Sequence, residues 1–311
     1  MADYFFNALL AAAATVEVPI DGQTGVWIKS GTTVVGSAMK TTGVTVSAGF
    51  TQYVYSRGVA SGTLAVSGGR IIAGSGAVIR NASASEYSSA VAVSANRAAV
   101  SGLNVWNASA TLSDCSAENI VVGTDIGTYT ARVSCLGGNV SNVDMGPKTL
   151  LTLNGASAFG VRVSSGAYLN AGGSSYIDDL AMVSGAIGSA YQTTINHLTV
   201  SGGGLTLTAD AVLGSLTTTP YRGLITVVGG SQMDGRTLSY LGIALYSGVV
   251  CSAPTLGASA ACNVYNGAIL SAPVLLSGGT LYVASGGSAL AVTSSAGAIV
   301  TVVNGGYIEY A

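Results

Sequence analysis

The chain has 311 residues, of which 44 are glycine and 5 proline; 49% are hydrophobic and only 8% charged. Ordinary soluble domains carry about 25% charged residues, while a disordered chain would be poor in the Val, Leu and Ile that abound here. The formal net charge is −2, from 11 basic and 13 acidic residues scattered singly. No basic stripe is present to bind nucleic acid, and no apolar run has the length of a transmembrane helix.

The chain opens with "MADYFFNALLAAAATVEVPI" (1–20). Its apolar run has signal-peptide length, but Asp3 precedes it and no Lys or Arg does, which is wrong for a secretory leader. The segment is therefore expected to form a short helix in which Tyr4, Phe5, Phe6, Leu9 and Leu10 cap an exposed core. Residues 21–311 then read differently. An apolar pair, a small polar residue and one or two glycines recur as "TVSAGF" (45–50), "AVSGGR" (65–70), "MVSGAI" (182–187), "TVSGGG" (199–204) and "LLSGGTLYVASGGS" (275–288). Intervals of roughly 20 residues indicate a stacked repeat. Between the glycines, strings such as "TLAVS" and "TLTLTAD" alternate with period two, the signature of short strands with one buried face. Glycine supplies the positive φ of tight corners.

These features predict an all-β, single-domain parallel β-solenoid over 21–311, with 1–20 as an N-terminal cap or assembly segment. Such a chain would form on the order of a dozen coils, each about 4.8 Å above the last.

In the middle of the chain the glycine corners thin out. Cys115 and Cys135 are 20 residues apart, one coil by the estimated period, and Cys251 and Cys262 are 11 apart, about half a coil. Two structural disulfides or four buried thiols fit better than a metal site, because no CxxC pattern occurs. Asp178–Asp179 is the only adjacent carboxylate pair. Paired acids serve polysaccharide-cleaving solenoids, but neighbours on a strand point to opposite faces and need a bend to converge, so a solvated loop is expected. His197, the only histidine, lacks companions for a triad or a metal site and reads as an exposed or hydrogen-bonded strand residue. No catalytic, cofactor-binding or metal-ligating residues are assigned.

Fifteen tyrosines against four phenylalanines suggest amphipathic rings at a surface, among them Tyr53, Tyr55 and Tyr282. Thr206 and Thr208 form a single T-x-T pair, too little for an ice-binding ladder. Asn81, Asn107 and Asn139 each begin an N-x-S triplet. The last stretch, "AIVTVVNGGYIEYA" (298–311), alternates nearly to its end and reads as an uncapped strand edge. Val302, Val303, Tyr307, Ile308 and Tyr310 are the expected partners of the N-terminal residues of another copy, in a head-to-tail contact that does not close and so makes a filament.

The stretch "VTVSAGFTQYVYSRGVASGTLAVSGGRIIAGSGAVI" (44–79) strings together a V-S-x-G corner, a T-x-Y-V strand, a G-V-A-S-G-T connector and a second V-S-G-G corner. It resembles the passenger repeats of the AIDA-type (diffuse-adherence) autotransporter adhesins, as does "VLLSGGTLYVASGGSALAVTSSAGAIVTVVNGGYI" (274–308). The resemblance implies a right-handed parallel β-helix on a bacterial surface, serving attachment, aggregation or biofilm formation without catalysis, and makes hydroxyl glycosylation possible. The membrane barrel and a convincing signal peptide of that family are not seen. The expected function is therefore a non-enzymatic, cofactor-free subunit of an extracellular or cell-surface filament, whose partners are its own copies and surface glycans. A trimeric phage tail fibre, a polysaccharide-degrading β-helix and a monomeric adhesin fragment are the rivals.

Overall fold

A computed structural model describes residues 24–85, 91–124 and 131–311. The proposed helical cap and its residues Tyr4, Phe5, Phe6, Leu9 and Leu10 lie outside them. The described residues are all-β, without a helix, and form a parallel β-solenoid of about 14 turns. Two compact units divide the chain, Met1–Phe159 and Gly160–Ala311.

The first unit begins with an exception to parallel pairing. Val26–Ser30 runs antiparallel to both Thr33–Ala38 and Phe50–Val54. From Phe50–Val54 onward the strands stack in parallel, through Arg70–Ala73, Val91–Asn96, Ser109–Ser113, Ala131–Leu136 and Thr149–Asn154. The interior of this ladder is a column of aliphatic side chains, Ile71, Val93, Ala110, Val133 and Leu151, each on the next and all buried. A stacked Leu or Ile withdrawn from water in this way contributes about 2–3 kcal/mol, which is why small cores repeated coil by coil can replace one large aromatic core.

The early coils of this unit are three-sided. Two short ladders stand opposite the first: Lys40–Thr42 under Val59–Ser61 under Val78–Arg80, and Thr45–Val46 under Leu64–Val66 under Ser83–Ser85. Both ladders then run into a single strand, Ala99–Trp106, whose first half pairs with Val78–Arg80 and second half with Ser83–Ser85. The corner formed by Gly43, Gly62 and Asn81, all at positive φ, thus flattens into Gly102 in mid-strand (φ +65°). The corner recurs one position sooner than the motif spacing suggested, because Val46 pairs with Ala65 and not with Val66.

The second unit makes the same change in reverse. Its long strands Tyr176–Val183, Thr194–Ser201 and Val212–Thr218 give way to three-sided coils in which Gly248, Gly267, Gly286 and Gly305 recur at even intervals, all left-handed. Their amides are chained from one coil to the next: Gly248 N donates to Gly267 O (3.1 Å), Gly267 N to Gly286 O (2.9 Å) and Gly286 N to Gly305 O (2.7 Å). Its core column is Leu205, Ile225, Ile243, Cys262 and Leu281.

The cysteines correct the period more sharply. Cys135 sits on Leu112 below and Leu153 above, so the coil from Leu112 to Cys135 is longer than the motif spacing and Cys115 is not the stacking partner. Cys251 lies under Leu270 in a different ladder from Cys262. All four are free, buried thiols.

Candidate functional site

Chemistry-bearing side chains gather on the long strands, for a reason set by backbone geometry. In Ala99–Trp106, Ser116–Gly123 and Asn139–Met145 the fourth residue is left-handed: Gly102 (φ +65°), Asn119 (φ +56°) and Asn142 (φ +53°). A left-handed residue slips the strand's alternation by one, so the third and fourth side chains both face outward between buried neighbours. Glu118 and Asn119 do so between Ala117 and Ile120. Asn tolerates this conformation better than other side-chain-bearing residues. Asn142 Nδ2 also donates to Asn119 Oδ1 one coil away (3.1 Å).

In the second unit the same device brings ionisable groups together. Tyr176–Val183 carries Asp179 at its fourth position (φ +57°), with Asp178 and Asp179 both outward between buried Ile177 and Leu180. The next strand pairs Ile195 with Ile177 and Leu198 with Leu180, which sets Asn196 and His197 against the two aspartates. His197 Nδ1 lies 2.5 Å from Asp178 Oδ1 and 3.8 Å from Asp179 Oδ1. Asn196 Nδ2 donates to Asp178 Oδ1 (3.2 Å) and stands 3.1 Å from His197 Nδ1. On the following coil, His197 pairs with Ser215, whose hydroxyl donates to the Asn196 carbonyl (3.3 Å). A Cβ at Gly214 would run into that same carbonyl, so only glycine lets the coils close here. The Asp178 hydrogen bond pushes the His197 imidazole above its ordinary value of 6.5, and the same bond holds the Asp178 carboxyl below its ordinary value.

Sequence reasoning treated Asp178–Asp179 and His197 as separate, unaccompanied residues. The structure brings them together, and the solvated loop expected at the aspartates is a strand. The missing signals were the separation of Asp178 from His197, one coil in length, and the bend at Asp179.

A second feature of this unit is the outer face of its eight-stranded ladder from Tyr168–Gly172 to Ile299–Val302. Successive registers place Tyr168, Ile187, Gly204, Leu224, Gly242 and Ala261 in one outward column. A parallel column runs through Asn170, Ser189, Thr206 and Thr226, is interrupted at the buried Ala244, and resumes at Asn263 and Tyr282. Tyr246 and Tyr265 stack between coils at 4.7 Å, 16° from parallel. The outward positions of these eight strands carry no charge. The equivalent ladder of the first unit carries Arg70 and Arg132.

The remaining residues singled out from the sequence are dispersed. Val302, Tyr307 and Tyr310 are exposed, while Val303 and Ile308 are half-buried, all on the last two strands or between them. Tyr53 and Tyr55 stack with parallel rings near Trp27, and Lys29 Nζ lies 4.8 Å from the Tyr53 centroid. Thr208 donates to the Ala190 carbonyl (3.3 Å). Asn107 is buried, whereas Asn81 and Asn139 are exposed. Burial raises the Cys135 and Cys251 thiols to about 12 and also raises Cys115 and Cys262.

No protein-family model matches the chain, and no curated protein matches it. Among solved structures, it is similar to the TibC-catalysed hyper-glycosylated TibA55-350 fragment, with a TM-score of 0.45 and 19% identity over 88% of this chain and 94% of that one. Among the described residues no helix is long and apolar enough to cross a membrane.

Proposed function

We propose that the chain is a non-catalytic structural β-solenoid of a bacterial surface or extracellular matrix, which works by associating with copies of itself. The observation that carries this reading is the charge-free outer face of the second unit. Eight strands at about 4.8 Å and four or five residues at about 3.3 Å each give a face of roughly 600 Å². Two copies meeting through it would bury about 1,200 Å², the low end of specific interfaces. Bringing such faces together meets no charge repulsion and strands no buried ion. Each contact is therefore weak and reversible, as suits aggregation and adhesion, and its tyrosines also suit stacking on surface glycans. Filament growth is the finer form of the proposal, through end-on contact by Val302, Val303, Tyr307, Ile308 and Tyr310.

The glycan-cleaving alternative has less support. A glycosidase pairs an ionised carboxylate with a carboxyl kept protonated, and Asp178, held toward its ionised form by His197, is unsuited to the acid's role.

Light scattering and electron microscopy over a concentration series test the proposal. The wild-type chain is expected to form fibres or lateral bundles. Leu224→Glu should dissolve lateral association, and Tyr307→Glu with Tyr310→Glu should dissolve end-on growth. A chain that remains monomeric at the highest soluble concentration would overturn the reading.

A further inference from the structure

The Asp178–Asp179–His197 cluster lies on a different sheet from the uncharged ladder to which self-association is assigned above. We propose that these three side chains form a binding site for a borderline divalent transition ion of the Zn²⁺ type, with one imidazole nitrogen and two carboxylate oxygens as protein ligands.

The donor set points to that class of ion. Imidazole favours zinc, nickel, cobalt and copper, while all-oxygen sites favour magnesium and calcium. The three donor atoms lie within 4.8 Å of one another. Tetrahedral zinc with bonds of about 2.1 Å needs donors about 3.4 Å apart. The 3.8 Å between His197 Nδ1 and Asp179 Oδ1 is close to that value. The 2.5 Å between Nδ1 and Asp178 Oδ1 is a hydrogen bond, and opens to ligand spacing by a small rotation of the Asp178 carboxylate. The ion then takes the Nδ1 lone pair in place of the shared proton, which leaves to solvent when the ring is an imidazolium and is matched by protonation of Nε2 when the ring is neutral.

An ordinary surface ion pair would need only one carboxylate. Here the left-handed bend at Asp179 turns the second one to the same side. Asn196, bonded to Asp178 Oδ1, orients that carboxylate from outside the ligand set, as outer-shell partners of metal sites do. The Ser215 hydroxyl and the tight Gly214 stacking fix the Asn196 backbone in turn. With His197 and Asp179 substantially exposed, an ion reaches the site directly from solvent, and its fourth position is left for water or an external ligand.

Titration calorimetry of the tag-free full chain with ZnCl₂ is the test. One site per chain is expected, with CaCl₂ giving no heat at concentrations where zinc saturates. Asp179→Gly keeps a residue suited to positive φ while removing one ligand, and should weaken zinc at least tenfold. His197→Ala should abolish the site, and Asn196→Ala should weaken it about tenfold. Thermal melts of the zinc-free variants show whether each still folds, and His197→Gln replaces His197→Ala if that one does not. A visible Co²⁺ spectrum of low symmetry, lost in Asp179→Gly, would report the ligands directly. The proposal fails if the wild-type chain takes up no zinc at millimolar concentration. It also fails if the affinity is unchanged in Asp179→Gly and in the folded His197 variant, which would put the ion elsewhere, such as at the thiols.

Discussion

The three-sided coils of residues 229–311 and the long-strand coils of 176–218 are built from the same materials to different ends. In the former, each coil turns at evenly spaced glycines, and the corner amides of Gly248, Gly267, Gly286 and Gly305 form one hydrogen-bonded line. At such a corner the left-handed residue adds no side chain of its own, and one exposed polar residue precedes it, Ser247, Asn266, Ser285 or Asn304. In the latter, the left-handed residue sits in mid-strand and keeps its side chain, so two neighbouring side chains face outward at once, as Asp178 and Asp179 do. Regular glycine corners thus give a uniform surface suited to broad contact, whereas the side-chain-bearing bend concentrates functional groups.

The largest expected effect lies in what the two kinds of coil share. Leu281 is fully buried on Cys262, so Leu281→Ala should cost about 2–5 kcal/mol. The outward Leu224→Ala should stay within about 0.5 kcal/mol. Hydrogen exchange is the better readout, because a solenoid opens locally and coils next to the change should lose protection first.

The contrast itself is broken by exchanging corner residues. At Gly286 (φ +74°) a Cβ would meet the Asn266 side chain, and Gly286→Ala should cost about 1–2 kcal/mol from the left-handed backbone alone. Asn142→Gly sits at the same kind of backbone and loses one exposed amide bond to Asn119, so its melting temperature should barely move. Equal losses at both positions would mean that the two bends are not energetically different.

The repeat architecture was legible because glycine corners and alternating Val, Leu and Thr are backbone requirements written directly in residue type. The register was not. The motif spacing hid a shorter coil, in which Val46 pairs with Ala65, and a longer one, in which Leu112 pairs with Cys135. Similar V-S-G strings occur one residue out of step with the ladder. The same blurring separated Asp178 from His197, and strict alternation assigned the two aspartates to opposite faces. Asn119, Asn142 and Asp179 carried the correction, as residue types that accept positive φ in the middle of an otherwise apolar strand.

The thiols sharpen the comparison from the inside. Cys135 is in the first unit and Cys251 in the second, in coils of different length, yet burial raises both to about 12. Neither forms the thiolate that reacts. An aromatic disulfide reagent should therefore label none of the four in the native chain and all four in denaturant. Fast native labelling of one would mark a coil that opens locally.

The smallest effect is electrostatic. The folded His197 value is raised, so its contribution to stability is fully present below the unfolded value near 6.5 and fades as the pH rises through the folded one. The folded Asp178 value is lowered, so its contribution is present above the unfolded value near 3.9 and is lost as the pH falls through the folded one. Both groups lie at the surface, where solvent screening keeps the energy small, so the observable is the titration and not the melting temperature. In metal-free buffer, the His197 ring resonances should titrate above 6.5 in the wild-type chain. In Asp178→Asn the midpoint should return toward 6.5, leaving only the weaker pull of Asp179, 3.8 Å away. A midpoint unmoved by that substitution would mean that the bend at Asp179, and not the partner on the neighbouring coil, governs the site's charge.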